Sequence, residues 1–173
     1  ASEGTSPNNL ALTLSGATEA NVTETYTVAD GSAAGSGTDY TLATSTLTFT
    51  AGTTALTLNP TINDDVIFEG DENFTVTLSA PSANAQLGAT TVDTHTILDN
   101  ESTPEWNFAV ATDNTSEATA SKNISITLDT ASASNETITY TVADVTATGS
   151  GTDYTLATGT ATILAGNTSV NVS

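Results

Sequence analysis

The sequence contains no cysteine and almost no basic residues: Lys and Arg together number one, against 20 Asp and Glu, and there is one His. Without cysteine the chain can form no disulfide, so any cross-link that stabilises it outside the cell must be a metal ion or simple packing. Zinc sites, which need cysteine or several histidines, are disfavoured on the same ground. The formal net charge of −19 argues against nucleic acid and anionic lipid as partners, because both are bound through Lys and Arg.

Long apolar runs are also lacking. None approaches the roughly 20 residues of a membrane-spanning helix, so we expect no direct membrane insertion. Residues 1–5 have neither the basic nor the apolar region of a signal peptide, which indicates a removed leader or an internal piece of a longer protein. Aromatic residues make up only 5%, and one His with no nucleophile motif disfavours hydrolase chemistry. We therefore expect a protein that is not an enzyme.

Short runs of alternating apolar and polar residues, rich in Thr and Val, occur along the whole chain. These runs cover residues 10–14, 23–28, 47–49, 56–62, 74–78, 92–98 and 124–128. Period-two alternation predicts antiparallel strands with one buried face. Strands about ten residues apart are typical of a two-sheet sandwich, so the sequence predicts an all-β protein.

The sequence repeats itself with a period of 114 residues. Residues 21–30 (NVTETYTVAD) return as residues 135–144 (NETITYTVAD), and residues 35–44 (GSGTDYTLAT) return unchanged as residues 149–158. Such a period equals one domain with its linker. We predict two repeats, residues 1–101 and 105–173, joined by a linker at residues 102–104.

The two repeats are cut at different places. Residues 104–115 are interpreted as an opening strand that the first repeat lacks, and the second repeat ends before any counterpart of residues 60–101. Two interpretations stay open. The sequence is a fragment of a longer repeat array, or it is a subunit whose neighbours exchange strands in a filament.

Acidic residues are concentrated in segments that we expect to lie between strands. Five carboxylates fall within residues 64–72 alone, and their mutual repulsion costs free energy unless water screens them or a cation binds. If the loops share one pole of the sandwich, their carboxylates converge there. Calcium, which takes six to eight oxygen ligands, fits such a pole better than magnesium does. The acidic candidates are Glu3, Asp39, Asp64, Asp65, Glu69, Glu72, Asp99 and Glu101.

The same segments resemble a Calx-beta domain. The resemblance is carried by GTDY at residues 37–40, LTFTAGT at 47–53, INDDVIFEGDENFTVTL at 62–78 and TILDN at 96–100. It implies an immunoglobulin-like antiparallel β-sandwich with Ca²⁺ at one pole. It also implies these side-chain ligands, together with the backbone carbonyl of Ile67: Glu3, Asp39, Asp64, Asp65, Glu69, Glu72 and Asp99.

The sequence departs from the best calcium binders of that family after Leu98. An acidic triplet would be ideal there, but the chain has Asp99, Asn100 and Glu101, so we expect the outermost ion to be weak or missing. Within its span, the second repeat retains only Glu117 and Asp153 of the set.

Three side chains outside this set have structural interpretations. His95 lies on the polar phase of the last strand of the first repeat and is predicted to be a surface side chain. Tyr40 and Tyr154 follow the repeated aspartates and are predicted to anchor their loops against the core.

These observations predict an extracellular, calcium-binding structural repeat, a spacer or stalk of a surface or adhesin-type protein that Ca²⁺ stiffens. The alternatives are a filament subunit assembled by strand exchange and a regulatory calcium sensor. The expected partners are neighbouring repeats or like subunits, with surface glycans or host ligands bound through other domains.

Overall fold

The computed structural model describes residues 1–5, 8–119 and 121–173, and within these ranges its regular secondary structure consists of β-strands without any helix. The prediction of an all-β protein is therefore confirmed. No helix long and apolar enough to cross a membrane is found among the same residues. Two compact units are present. The first comprises Ala1–Asp65 and Gly70–Asn100, and the second comprises Val66–Glu69 and Glu101–Ser173.

The first unit consists of three small antiparallel sheets. Its strands are β1 (Leu10–Thr13), β2 (Val22–Asp30), β3 (Tyr40–Thr41), β4 (Ser45–Phe49), β5 (Ala55–Leu58), β6 (Thr61–Ile62), β8 (Glu72–Ser79) and β9 (Val92–Ile97). Strands β2 and β8 form the centre of a four-stranded sheet with the order β4-β2-β8-β9, and the pairs β1-β5 and β3-β6 form the other two sheets.

The core of the first unit lies between these sheets. Leu10 and Leu58 come from the β1-β5 pair, whereas Phe74 and Ile97 come from the four-stranded sheet, and all four belong to one buried cluster. The Tyr40 ring stacks on Phe74 with its centroid 4.0 Å away. Because apolar side chains alternate along each strand, one face of each sheet is buried in this common core, as a sandwich requires.

Two strand pairings of the first unit recur in the second. Leu10 pairs with Leu58 in the first unit, and Ile124 pairs with Val172, each 114 residues further on. The strands of the second unit are β7 (Ile67–Phe68), β10 (Trp106–Phe108), β11 (Ile124–Leu128), β12 (Ala131–Ser132), β13 (Glu136–Tyr140), β14 (Gly159–Ile163) and β15 (Ser169–Val172). The pairs β2-β4 and β13-β14 keep the same offset of 114 residues. Strand β7 runs parallel to β12.

The opening strand is shorter than predicted. Residues 104–115 were expected to be extended, but only Trp106–Phe108 form a strand, which is β10. Its partner β11 begins at Ile124, and the antiparallel register pairs Phe108 with Ile126. Beyond Phe108, strand β11 therefore has few residues left with which the segment can pair. Ala109 N still donates to Ser125 O at 3.0 Å.

The prediction that His95 is a surface side chain is wrong. Only 17% of its side chain is exposed, and its ring packs against Phe74 at a centroid distance of 5.1 Å. Burial lowers the pKa of His95, since the charged imidazolium loses hydration. His95 lies two residues before Ile97, which is 1% exposed, and directly opposite Phe74 in the register of β8 and β9, so its side chain is on the buried face of β9 rather than on a polar one.

Glu24 is a charged residue within the buried face of β2. It lies between Val22 and Tyr26 and is 8% exposed. One carboxylate oxygen accepts a hydrogen bond from the backbone of Ser79, whereas Oε1 is buried without a partner among the described residues. Burial, partly offset by that bond, raises the pKa of Glu24 above its ordinary value of 4.5. The counterpart of Glu24 in the second unit is Ile138. Ile138 pairs with Ala161 across β13 and β14, as Glu24 pairs with Leu47 across β2 and β4.

Replacing Glu24 with the residue of the other repeat should stabilise the first unit. Because the folded pKa is raised, the wild type loses stability as the pH rises above 4.5, and Glu24→Ile removes that loss. We expect a gain of about 1 kcal/mol at pH 7, or roughly 4–8 °C in Tm for a unit of this size, and a smaller gain at pH 4. Thermal unfolding at both pH values checks this.

Glu19→Gln, a charge removal at an exposed position, is the control. An equal gain from both variants would show that lower net charge, not the buried carboxylate, controls the stability.

Candidate metal centre

The loop that carries Asp39 is held in one conformation by its own hydrogen bonds. Asp39 Oδ2 accepts from Ala34 N at 2.5 Å, and Asp39 N donates to Ala34 O at 3.0 Å. Gly37, with a φ of 94°, takes the left-handed conformation that glycine adopts without steric cost. The Asp39 carboxylate is therefore fixed relative to its backbone.

A second set of bonds ties this loop to the end of β2. Asp30 Oδ1 accepts from the Tyr40 hydroxyl at 2.6 Å and from Gly35 N at 2.9 Å. Tyr40 is buried in the core, which confirms its predicted anchoring role. Burial, the hydrogen bond to Asp30, and the charges of Asp30 and Asp39 raise the pKa of Tyr40 to about 12.

The start of the acidic run lies directly beside the Asp39 loop. Strands β3 and β6 pair Tyr40 with Ile62. Asn63, the next residue after β6, donates its backbone N–H to Asp39 O at 2.9 Å. Asp64 and Asp65 follow at once in the chain, so β-sheet pairing brings Asp39 to the same end of the unit as the acidic run.

Asp39 and Glu72 form one close pair of carboxylates. Each offers an oxygen that lies within 4.8 Å of the other. Glu72 begins β8, the strand paired with the end of β2 through Asp30 and Phe74. Two oxygens on opposite sides of a Ca²⁺ ion are separated by about 4.6–5.2 Å, so this spacing fits two ligands of one ion.

Glu3 and Asp99 form the other close pair, again within 4.8 Å. Glu3 N donates to Leu98 O at 3.1 Å, and Ser2 forms a parallel β-bridge with Leu98. These backbone contacts hold Glu3 beside Asp99. Asp99 is itself fixed, because Oδ2 accepts from Gly70 N at 2.5 Å.

Asp64 lies next to the second pair. Its Oδ1 accepts a hydrogen bond from Asn100 Nδ2 at 2.7 Å, and Asn100 follows Asp99. On the other side, Gly4 follows Glu3 and has a φ of 62°; a Cβ atom there would lie 2.9 Å from Asp64 Oδ1. Glycine at this position therefore leaves the room that the Asp64 carboxylate occupies.

The remaining predicted ligands are placed as follows. Asp65 is exposed next to Asp64. Ile67 lies in β7, where it pairs with Ala131, and it belongs with Glu69 and Glu101 to the second unit. Glu69 and Glu101 are adjacent in the chain to Gly70 and Asn100 of the first unit. As ligands, these four residues stay predictions.

The second unit contains a copy of the Asp39 loop. Asp153 Oδ2 accepts from Thr148 N at 2.7 Å, and the Tyr154 hydroxyl donates to Asp144 Oδ1 at 2.5 Å. Hydrogen bonding to Asp144 raises the pKa of Tyr154 and lowers the pKa of Asp144. Glu117, the other retained acid, is exposed.

Sequence reasoning missed three residues that shape the centre. Asp30 had a detectable signal, because it and Tyr40 both lie in segments that recur at the 114-residue period. Asp71, which accepts from Asp99 N at 3.2 Å, is part of the acidic run but was not among the predicted ligands. Asn63 gave no signal beyond its place before two aspartates.

Comparison with known proteins identifies similar domains. A family model described as the Calx-beta domain matches residues 2–101 and 99–173. The crystal structure of CBD12 from CALX1.2 has a TM-score of 0.55 and 22% identity, covering 99% of this chain and 68% of that one. The crystal structure of calcium binding domain CBD12 of CALX1.1 has a TM-score of 0.55 and 20% identity, covering 99% and 69%. No curated protein sequence matches significantly. At these identities the structural likeness shows the fold, and it confirms the predicted immunoglobulin-like sandwich in tandem.

Tyr40→Phe should destabilise the first unit by at least about 1 kcal/mol, because Asp30 loses a charge-assisted hydrogen bond. Since the pKa of Tyr40 is raised from 10.0 to about 12, the wild-type bond contributes fully below pH 10. Its contribution is lost as the pH rises through 12. Denaturant unfolding in EDTA across this pH range measures both effects.

Tyr154→Phe removes the same bond in the second unit, where the ring is less buried, and should cost less. A cost for Tyr154→Phe equal to or above that of Tyr40→Phe would contradict the importance of burial.

Proposed function

Because this chain belongs to the Calx-beta domain family, we propose that it is a calcium-binding structural repeat whose first unit holds Ca²⁺ through paired carboxylates. The observation that carries the proposal is the spacing of Asp39 with Glu72 and of Glu3 with Asp99, each pair within 4.8 Å. All the ligand atoms in these pairs are carboxylate oxygens, which a hard divalent cation prefers. Backbone bonds to Asp39 and Asp99 hold the oxygens in place, which reduces the ordering cost of binding.

The charge of the chain supports the same proposal. Lys and Arg number one in the whole sequence, against 20 Asp and Glu, and this one residue, Lys122, is ion-paired to Asp113 at 2.7 Å within the second unit. Asn100 and backbone N–H groups donate to the carboxylates, but they carry no full charge. A divalent cation would replace carboxylate repulsion with attraction at this end of the unit.

We further propose an extracellular location and a role as a spacer or stalk of a surface or adhesin-type protein. Two consecutive repeats with the same strand register favour an array of similar domains. The lack of cysteine leaves bound metal as the available cross-link in an oxidising compartment. Neighbouring repeats or like subunits are the partners that this role requires.

Calcium should raise the thermal stability of the first unit. A ligand that binds only the folded state at 100 times its Kd adds about 2.7 kcal/mol, which corresponds to an increase in Tm of roughly 10 °C or more for a unit of this size. Differential scanning calorimetry of the 173-residue chain in EDTA, in Ca²⁺ and in Mg²⁺ at matched ionic strength measures this. We expect Mg²⁺ to produce only a small part of this increase in Tm.

The double variant Asp64→Asn and Asp65→Asn should lose most of the calcium-dependent increase. The control double variant, Glu19→Gln with Asp93→Asn, changes the net charge by the same amount. These two exposed acids lie near the starts of β2 and β9, whereas the acidic run lies near the ends of those strands. The control variant should therefore keep the calcium-dependent increase in Tm. Equal Tm values for the wild type in Ca²⁺ and EDTA would show that the acidic loops are only solvated.

A further inference from the structure

We propose that Asn63 is a positioning residue that sets the place of Asp39 relative to Asp64 and Asp65 and thereby controls cation affinity. This inference rests on the calcium-binding function proposed above and assigns to Asn63 a role other than ligation. The evidence is the number and direction of its hydrogen bonds.

Asn63 joins the two segments that carry these acids. Its side-chain Nδ2 donates to Gly37 O at 2.6 Å and to Thr38 O at 2.5 Å. Its backbone N–H donates to Asp39 O at 2.9 Å. Three consecutive carbonyls of the Asp39 loop are therefore bound by a single residue, and the next residue in the chain is Asp64.

The chemistry of the side chain suits this place. A primary amide has two N–H donors and no charge, so it can bind two carbonyls without changing the electrostatics of the carboxylates nearby. Serine offers one donor only. Aspartate would direct negative oxygens at carbonyl oxygens, and lysine would bring a positive charge that competes with a bound cation.

The conformation of the loop that Asn63 binds is set by the loop's own hydrogen bonds, and it recurs in the second unit at Ser150 and Gly151, with φ values of 59° and 86°. Ser36, a residue other than glycine, has a φ of 62°, and Gly37 has a φ of 94°. Left-handed conformations at residues with a Cβ atom persist when surrounding contacts fix them. Loss of the Asn63 amide would free the carbonyls of Gly37 and Thr38, and only the backbone bond from Asn63 N to Asp39 O and the β3-β6 pairing would then hold Asp39 to the acidic run.

The test compares Asn63→Ala with Asn84→Ala in the full 173-residue chain. Asn84 is the matched control, because its Nδ2 also donates to a loop carbonyl, Asn21 O at 3.2 Å, and its Oδ1 accepts from Ser82. Asn21 precedes β2, whereas Asp30 ends that nine-residue strand, so the control site lies about 25–30 Å from the acidic end. Isothermal titration with Ca²⁺ gives affinity, and unfolding in EDTA gives the stability without cation.

We expect Asn63→Ala to weaken Ca²⁺ binding by about 10-fold or more, the effect seen when a residue that orients metal ligands is removed. Asn84→Ala should bind within twofold of the wild type even if both variants lose similar stability in EDTA. Asn63→Ser, which keeps one donor, should be intermediate.

Unchanged Ca²⁺ affinity in folded Asn63→Ala would overturn the inference, as would failure of both Asn63 variants to fold, since Asn63 would then act on folding. If the wild type itself binds no Ca²⁺, the proposed function fails and the inference fails with it. The wild-type titration distinguishes that result from a failure of the inference alone.

Discussion

The structure of the first unit depends on holding carboxylates close together in a chain with almost no basic side chains. Two like charges 4 Å apart repel by about 1 kcal/mol in water and by about 4 kcal/mol at the effective dielectric of a protein surface. The unit offsets this repulsion with dipoles: backbone N–H groups of Ala34 and Gly70 and the amide of Asn100 donate to Asp39, Asp99 and Asp64. These hydrogen bonds fix the orientation of the three carboxylates, which reduces the ordering cost of binding a divalent cation.

The fold supplies this arrangement through strand ends rather than through long loops. The β3-β6 pair places Asp39 beside Asn63, and the backbone contact to Leu98 places Glu3 beside Asp99. The loop held by Asp30 and Tyr40 recurs with the same bonds around Asp144 and Tyr154. Its recurrence where only Asp153 and Glu117 are retained shows that the loop geometry does not require the full set of acids. The loop held by its aspartate and tyrosine is thus a structural element shared by both units.

The alternation of apolar residues predicted most strands, because burial of one sheet face imposes a period of two on the sequence. The prediction for His95 failed because it followed the polarity of the side chain, whereas alternation with Ile97 places His95 on the buried face, opposite Phe74. For the acids, sequence could name the loops but not the pairs: Asp39 meets Glu72 and Glu3 meets Asp99 through register and turn geometry. Asn63 could not be found from sequence, because its role depends on carbonyls that only the folded loop directs toward it.

Anomalous X-ray diffraction from crystals of the chain grown in millimolar Ca²⁺ would test the central claim most directly, since it locates bound ions without reference to stability. The account predicts an anomalous peak about 2.3–2.6 Å from carboxylate oxygens of Asp39 and Glu72, of Glu3 and Asp99, or of both pairs. Peaks absent from both pairs in well-ordered crystals would contradict it, and the acidic end of the first unit would then be a hydrated surface.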